Sequence, residues 1–196
     1  ASAGSNGGLF TINADGSTSF DPNGDFEDLA VGETRDTTVQ YTVSDGNGGT
    51  DTATLTITVT GVNDTPVGNV ETISVNENDF SANLHTLVLS NDTDVDASDT
   101  LDVSGIDTSL TTGFVTYNDA ANILLYSAQN YDYLAEGATA TDSFVYTVSD
   151  GNGGTQSVTV TVNITGVNDA PTAQEDLFTT DEDTITSGNV LVDNGN

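Results

Sequence analysis

The 196 residues carry 31 aspartates and glutamates against a single arginine, no lysine and one histidine, a formal net charge of −30 at pH 7. Such an imbalance excludes a phosphate-neutralising surface and argues against both nucleic acid and membrane as partners. Its self-repulsion calls for counter-ions, divalent ones above all, among the carboxylates. With no cysteine there are no disulfide staples or zinc–thiolate sites. No apolar run approaches the roughly 20 residues of a transmembrane helix, and no signal peptide opens the sequence, so any secretion signal is expected outside it.

In chain order, Val39, Tyr41 and Val43 alternate with polar residues, and Ala53, Leu55, Ile57 and Val59 alternate with threonines. This is the period-two pattern of half-buried strands. Between them, Asp45-Gly46-Asn47-Gly48-Gly49 tolerates the positive φ of a tight hairpin. The hairpin runs out at Gly61-Val62-Asn63-Asp64-Thr65-Pro66, where proline cannot continue a ladder. Beyond it, residues 70–76 and 84–90 are predicted strands and residues 91–99 an acidic loop. Residues 101–106, 113–117 and 122–126 are further short strands, and residues 131–137 a corner connection. A hairpin over residues 142–165 follows, with Phe144, Tyr146 and Val148 on one arm and Val158, Val160, Val162 and Ile164 on the other.

That hairpin repeats the first. The decapeptide YTVSDGNGGT at Tyr41 returns at Tyr146, and the offset of 105 residues holds without a gap from Gly8/Gly113 to Glu77/Glu182. A period of that length is a whole domain. Residues 66–170 form one complete module, residues 1–65 match the later part of a period, and residues 171–196 match the beginning of another. About seven short strands per period predict an all-β fold of tandem immunoglobulin-like Greek-key sandwiches, one complete and two partial. The predicted core of the complete module is Ile73, Val75, Leu87, Leu89, Val103, Val115, Tyr117, Leu125, Leu134, Phe144, Tyr146, Val148, Val160 and Val162.

The order of Ile73-Ser74-Val75-Asn76-Glu77-Asn78, Asn91-Asp92-Thr93-Asp94, Tyr146-Thr147-Val148-Ser149-Asp150-Gly151 and Val167-Asn168-Asp169-Ala170-Pro171 resembles that of cadherin repeats. More closely, the chain is similar to the VCBS-type, cadherin-like tandem repeats of large bacterial adhesins exported by type I secretion, many of them RTX proteins. The resemblance covers essentially the whole chain and implies an extracellular place at a bacterial surface, with Ca2+ as the cofactor. In cadherins calcium lies between successive domains, held by an early glutamate, the junction Asn-Asp, an Asp-x-Asp loop of the following domain and the Asp of its last hairpin. Carried over, the resemblance implies Asn63 and Asp64 with Asp92 or Asp94 and Asp150 at the first junction. At the second it implies Glu77, Asn168 and Asp169, with Asp193 from the partial third module. Calcium takes about six to eight oxygens at about 2.3 to 2.6 Å, which carboxylates and amide carbonyls provide. This chain has Gly61 and Gly166 where cadherin junctions begin with another aspartate, and Tyr131-Asp132-Tyr133-Leu134 where cadherins carry Asp-Arg-Glu. One or two ions per junction are therefore expected, with Asp132 a weaker candidate.

Single acids in loops are ordinary turn residues, because they bond their own backbone, so the junction clusters carry the metal reading rather than any one acid. The run from Asp92 imitates an EF-hand but has Ala97 at the required glycine and Val103 at the terminal glutamate. His85 falls on a predicted strand among Leu and Thr and reads as a surface or edge residue, not a catalytic base. Acid pairs such as Asp15 with Asp25 carry no catalytic information where every loop is acidic. Tyr117, Tyr126, Tyr131 and Tyr133 fit core and corner positions, an exposed sugar-stacking surface being the other reading.

The sequence thus predicts no enzyme but a structural extender, a stack of modules that junction calcium turns into a rod. The competing reading is a binding module, for carbohydrate or for calcium-dependent self-association. The expected partners are neighbouring repeats in tandem. Because a half-sandwich exposes an apolar face and unpaired edges, residues 171–196 are also expected to pack against residues 1–65 of the next unit.

Overall fold

Alternating Val, Ile, Tyr and Phe along residues 139–165 produce the long hairpin on which the complete module is built. The computed structural model describes residues 1–173 and 175–190. Its strands in chain order are β1 (Ser2–Ala3), β2 (Leu9–Ile12), β3 (Thr18–Asp21), β4 (Thr34–Ser44), β5 (Thr50–Thr60), β6 (Glu71–Asn76), β7 (Asp102–Asp107), β8 (Phe114–Asn118), β9 (Ile123–Ser127), β10 (Thr139–Ser149) and β11 (Thr155–Thr165). One short helix, α1, spans His85–Val88.

In the complete module one sheet has the order β6-β11-β10-β7, and the hairpin β8-β9 lies opposite. β11 pairs antiparallel with β10 and parallel with β6, while β10 pairs antiparallel with β7. Side chains alternate across a strand, so Phe144, Tyr146 and Val148 of β10 and Val158, Val160, Val162 and Ile164 of β11 all enter the layer between the sheets. The Tyr126 ring of β9 stacks on Phe144 at 6.3 Å and joins the two layers. Full burial of each large apolar side chain contributes about 1.5 to 3 kcal/mol.

Residues 84–90 are not the strand their composition predicts. They form α1, whose Val88 N–H donates to Leu84 O at 2.9 Å. The Asn83 carboxamide oxygen accepts from His85 N–H at 3.2 Å and from Leu124 N–H at 3.0 Å, pinning the turn to β9. Leu84 and Val88, four residues apart, share the buried side of this turn, which leaves Leu87 42% exposed rather than in the core. His85 is correspondingly buried, with Nε2 at 2.9 Å from Asp102 Oδ1, and is not a surface or edge residue. Along β9 the inward residues are Leu124 and Tyr126, so the predicted core position Leu125 lies half-buried on the opposite face. Six strands and α1 take the place of seven strands.

In residues 1–61, β4 pairs with β5 as a two-stranded sheet and β1-β2-β3 form a second sheet. Phe10, Phe26, Leu29 and Ala30 are buried there, and the rings of Phe10, Phe20 and Phe26 meet in succession at 4.9 and 6.1 Å. β4 and β5 are the equivalents of β10 and β11, yet Val43 is 54% exposed where its equivalent Val148 is fully buried. No strand flanks β4 or β5 among the described residues. The described part of residues 171–190 holds neither strand nor helix, and its side chains are exposed.

Candidate metal centre

Three chain segments converge where β5 gives way to the complete module. The link 61–66 carries Asn63 and Asp64. The loop 91–100 carries Asp92, Asp94, Asp96 and Asp99. The β10–β11 hairpin carries Asp150. Each is anchored by main-chain bonds. Val67 and Thr93 exchange N–H···O bonds of 2.7 and 3.0 Å, which holds the link beside the acidic loop. Asp150 N–H donates to Gly154 O at 3.3 Å, and Asp150 Oδ1 accepts from the N–H groups of Asn152, Gly153 and Gly154 at 2.7, 3.0 and 3.0 Å. The hairpin needs glycine in two ways. Gly151 and Gly153 have positive φ of 79° and 117°. A Cβ on Gly154 would strike Asp150 Oδ2 and would lie 2.9 Å from Asp64 O and 3.0 Å from Pro66 Cδ.

The carboxylates of Asp94, Asp99 and Asp150 place oxygens within 4.8 Å of one another. Two oxygens on one calcium at about 2.3 to 2.6 Å can lie at most about 5 Å apart, so this spacing fits a shared ion. Asn63 Oδ1, Asp94 Oδ2, Asp96 Oδ1 and Asp99 Oδ2 are buried and have no hydrogen-bond partner. Leaving such acceptors unsatisfied costs about 1 to 3 kcal/mol apiece, more for charged groups. All four are acceptors, so a cation resolves the deficit and an apolar group does not. The second oxygens of the same side chains hold the frame. Asp96 Oδ2 accepts from Asp64 N–H at 2.8 Å, Asp94 Oδ1 from Asp96 N–H at 3.0 Å, and Asp99 Oδ1 from the Asn152 amide at 2.9 Å. Burial raises the pKa of Asp150, but hydrogen bonds from Asn63, Asn152, Gly154 and Gly153 outweigh it and hold the carboxyl below its ordinary value, charged at neutral pH.

Of the residues expected here, the structure brings Asn63, Asp64, Asp94 and Asp150 together. Asp64 takes part through its main chain, donating N–H to Asp96 and accepting from the Asn63 amide through its carbonyl at 2.6 Å. Asp92 faces away from the group. Its Oδ1 accepts from Asn69 N–H at 2.7 Å and its Oδ2 from the buried Tyr146 hydroxyl at 2.8 Å, so it braces the sandwich, and Asp94 is the member of that alternative that faces the cluster. Asp99 belongs to the group as well, and Asp96 brings a further buried, unpartnered oxygen on the same loop, neither of them among the residues the resemblance implies. Their signal in the sequence is the continued spacing of acids through residues 94–99.

At the other end of the module Glu77 is 0% exposed. Oε1 accepts from Val167 N–H at 2.7 Å and Oε2 from Leu134 N–H at 3.1 Å, which ties the outgoing link to the corner. Asn168 repeats the Asn63 geometry by donating to Asp169 O at 3.2 Å, and both residues are exposed, as is Asp132. Asp193 lies outside the described residues. Among the described residues no acidic group gathers at this second junction.

Tyr126 and Tyr131 are buried, Tyr117 is half-buried, and Tyr133 alone of the four is largely exposed. No helix among the described residues is long and apolar enough to cross a membrane.

The sequence matches the family model of the bacterial cadherin-like domain twice, over residues 1–61 and 63–166. No curated protein sequence matches it at a significant level. Among solved structures it is similar to N-cadherin EC1-4 of Drosophila, at 19% identity and a TM-score of 0.45 over 84% of this chain and 41% of that one. It is also similar to mouse clustered PcdhgC3 EC1-3, at 14% identity and a TM-score of 0.42 over 86% of this chain and 54% of that one. Human mucin-like protocadherin EC1-2 gives 14% identity and a TM-score of 0.38, over 80% and 78% of the two chains. The chain thus spans about half or less of the first two of these structures. With the family model matched over nearly all of residues 1–166, the chain belongs to the bacterial cadherin-like domain family.

Proposed function

We propose that this chain is a calcium-rigidified extender, a stalk repeat of a bacterial surface adhesin that works outside the cell in tandem with neighbouring repeats. The observation that carries the reading is the set of unpartnered buried oxygens of Asn63, Asp94, Asp96 and Asp99 beside Asp150, on the path between two sandwiches. Asn63, Asp94, Asp96, Asp99 and Asp150 would hold a calcium ion, which would supply the positive charge that neutralises these carboxylates. The chain's own residues set what that does mechanically. Asn63 belongs to the link, Asp94, Asp96 and Asp99 to a loop pinned by Val67 and Thr93, and Asp150 to the hairpin of the main sheet. Fixing the link to two independent parts of the next sandwich removes the bending freedom of six linker residues. Without a cation, the crowded like charges push the same segments apart. The carbohydrate-binding alternative has weaker support, because Tyr126 and Tyr131 are buried in the core and form no exposed platform.

The test combines calcorimetric calcium titration with small-angle scattering on the wild type and on Asp99→Asn. The expected result is a straighter, longer particle in calcium than in EDTA, with weaker calcium binding in the variant. Identical scattering profiles in calcium and EDTA, with no binding heat, overturn the reading.

A further inference from the structure

The outer face of the β8–β9 hairpin in the complete module carries aromatic side chains that neither the core nor the junction uses. Val115, Tyr117, Leu124 and Tyr126 face the core, so the alternate residues Phe114 and Ser127, which pair across the hairpin, face outward. Along the other edge of β9, Ser81 N–H donates to Tyr126 O at 2.8 Å and Leu84 N–H to Leu124 O at 2.7 Å. Phe80 forms an antiparallel bridge with Ser127. Residues directly opposite in a ladder share a face, so Phe80, Ser127 and Phe114 stand in one row across three adjacent segments.

Phe80 and Phe114 are 61% and 55% exposed, and with Thr116, Leu125 and Gln129 they surround a cleft of about 280 Å³. Ser127, between them, is 3% exposed, and its Oγ has no hydrogen-bond partner. Among the described residues none that lines the cleft is charged, in a chain with 31 acids. A cation therefore finds no carboxylate in its walls, while an anion, or a second copy with the same net charge of −30, is repelled. The occupant that fits is neutral, with apolar faces for two rings and a hydroxyl for Ser127.

A following repeat does not claim this surface. Where the complete module meets residues 1–61, Ala97 N–H donates to Asp28 O at 3.2 Å, and Asp28 is the equivalent of Tyr133. Among the described residues no hydrogen bond from the module reaches Leu9, Thr11 or Phe20, the equivalents of Phe114, Thr116 and Leu125.

We propose that the cleft binds one hexopyranose ring of a neutral glycan, held between Phe80 and Phe114 with one of its hydroxyls on Ser127 Oγ. Two strand spacings, roughly 9 to 10 Å, separate the phenylalanines. A sugar in contact on both sides at about 3.5 to 4.0 Å needs about 7 to 8 Å, which side chains this exposed reach by leaning inward. A pyranose whose hydroxyls are all equatorial offers C–H bonds on both faces, and the negative face of each phenyl ring attracts them. The gluco configuration meets that demand. In the galacto configuration the axial O4 turns a hydroxyl against one ring, where it finds no hydrogen-bond partner.

The test is an NMR titration of the whole chain in saturating calcium with methyl β-glucopyranoside and, separately, methyl β-galactopyranoside. The glucoside is expected to shift the amides of Phe114 and Ser127 with a Kd of about 1 to 10 mM, and the galactoside to bind about fivefold or more weakly. Phe80→Ala and Phe114→Ala, both at exposed positions, should each weaken binding about fivefold while the melting temperature of the module holds. Ser127→Ala should weaken it several-fold without lowering that temperature, because the hydroxyl it removes has no partner in the free protein. Tyr133→Ala, at an exposed ring elsewhere, should bind as wild type does. No shift with either glycoside up to about 50 mM overturns the proposal, as does glucoside binding that survives in both phenylalanine variants. Concentration-dependent sedimentation of the wild type that Phe114→Ala abolishes would give the cleft to a second copy and overturn it as well.

Discussion

The side-chain amide of Asn63 donates to Asp150 Oδ2 at 2.9 Å across 87 positions of sequence, joining the link that leaves one repeat to the last hairpin of the next. The carboxylate that receives it already accepts three main-chain N–H groups through its other oxygen. Charge-assisted bonds of this kind are roughly twice as strong as neutral ones. The relative placement of two sandwiches therefore has a specified hydrogen bond at its centre, and a cluster of unpartnered oxygens beside it.

Calcium should raise the melting temperature far more than magnesium at equal concentration. The oxygens come from three separate segments, an adjustable set that suits the larger ion, whereas magnesium demands near-ideal octahedral geometry. At free calcium of about 100 times the dissociation constant, one site contributes about 2.7 kcal/mol. Thermal melts in EDTA, calcium and magnesium decide the matter, and three equal midpoints refute it.

Neighbouring aspartates should separate by role. Asp94→Asn and Asp99→Asn are expected to lower calcium affinity about tenfold or more, with little change in the melt recorded in EDTA. Asp92→Ala should do the reverse, costing about 1 to 3 kcal/mol in EDTA because Asn69 N–H loses its acceptor and the buried Tyr146 hydroxyl keeps only Val88 O. Titration calorimetry beside denaturant melts reads both. A calcium-specific loss in Asp92→Ala would assign it to the ion instead.

Stability should fall at both ends of the pH scale. Burial raises the carboxyl pKa of Asp142 and Asp150, but their hydrogen bonds outweigh it and hold both below the ordinary 3.8 in the fold. Their contribution is present above about pH 4 and is lost as pH falls through the lowered values. The hydroxyls of Tyr126 and Tyr146 are shifted the other way, by burial first and then by Asp142 and Asp92, and Tyr117 is pushed up to about 12. Their contribution is complete below about pH 10 and is lost as pH rises above it. Urea midpoints measured at constant ionic strength should form a plateau with two shoulders. A profile still level at about pH 12 contradicts the buried tyrosine–aspartate pairs.

Gly154→Ala should disturb the junction from the hairpin side. The added methyl strikes Asp150 Oδ2 and crowds Asp64 O and Pro66. Moving Asp150 breaks both its bond to Asn63 and its place among the metal-facing oxygens, so about 1 to 3 kcal/mol of stability and most calcium binding should go together. The equivalent Gly49→Ala, whose Cβ would meet its own loop's Asp45 first, tests whether the effect belongs to the junction. Equal calcium binding in wild type and Gly154→Ala would mean that Asp150 stands apart from the ion.

Asp169→Ala, at an exposed position beyond β11, should leave the unfolding free energy of the complete module within about 0.5 kcal/mol of wild type. Its effect is expected in scattering of a longer tandem, as a looser second junction. Loss of the module's own transition would place Asp169 inside the fold.

The strand hairpins, the 105-residue period and the junction Asn-Asp were legible in the sequence because each rests on local rules. Period-two alternation places Val160 and Val162 on one face whatever surrounds them, and Gly and Asn punctuate turns by their own backbone freedom. Residues 84–90 were misread because Leu, Thr and Val suit a strand by propensity, while the Asn83 carboxamide, fixed by Leu124 some forty residues on, starts a helical turn instead. Leu124 and Leu125 are indistinguishable by composition, and only the register of β9 against β8 decides which one enters the core.

For the candidate site the division is sharper. The sequence by itself determined that acids crowd the junction and that no counter-charge of the chain's own answers them. Only the tertiary structure decided which acids face one another. Asp92 and Asp94 differ by two positions, yet the packing of Tyr146 beneath the loop takes Asp92 out of the cluster, while Asn152 brings Asp99 in from the far side. Ligand sets are defined by distances of a few ångströms between segments remote in sequence, and a one-dimensional pattern specifies which residue types are on hand without specifying where their oxygens point.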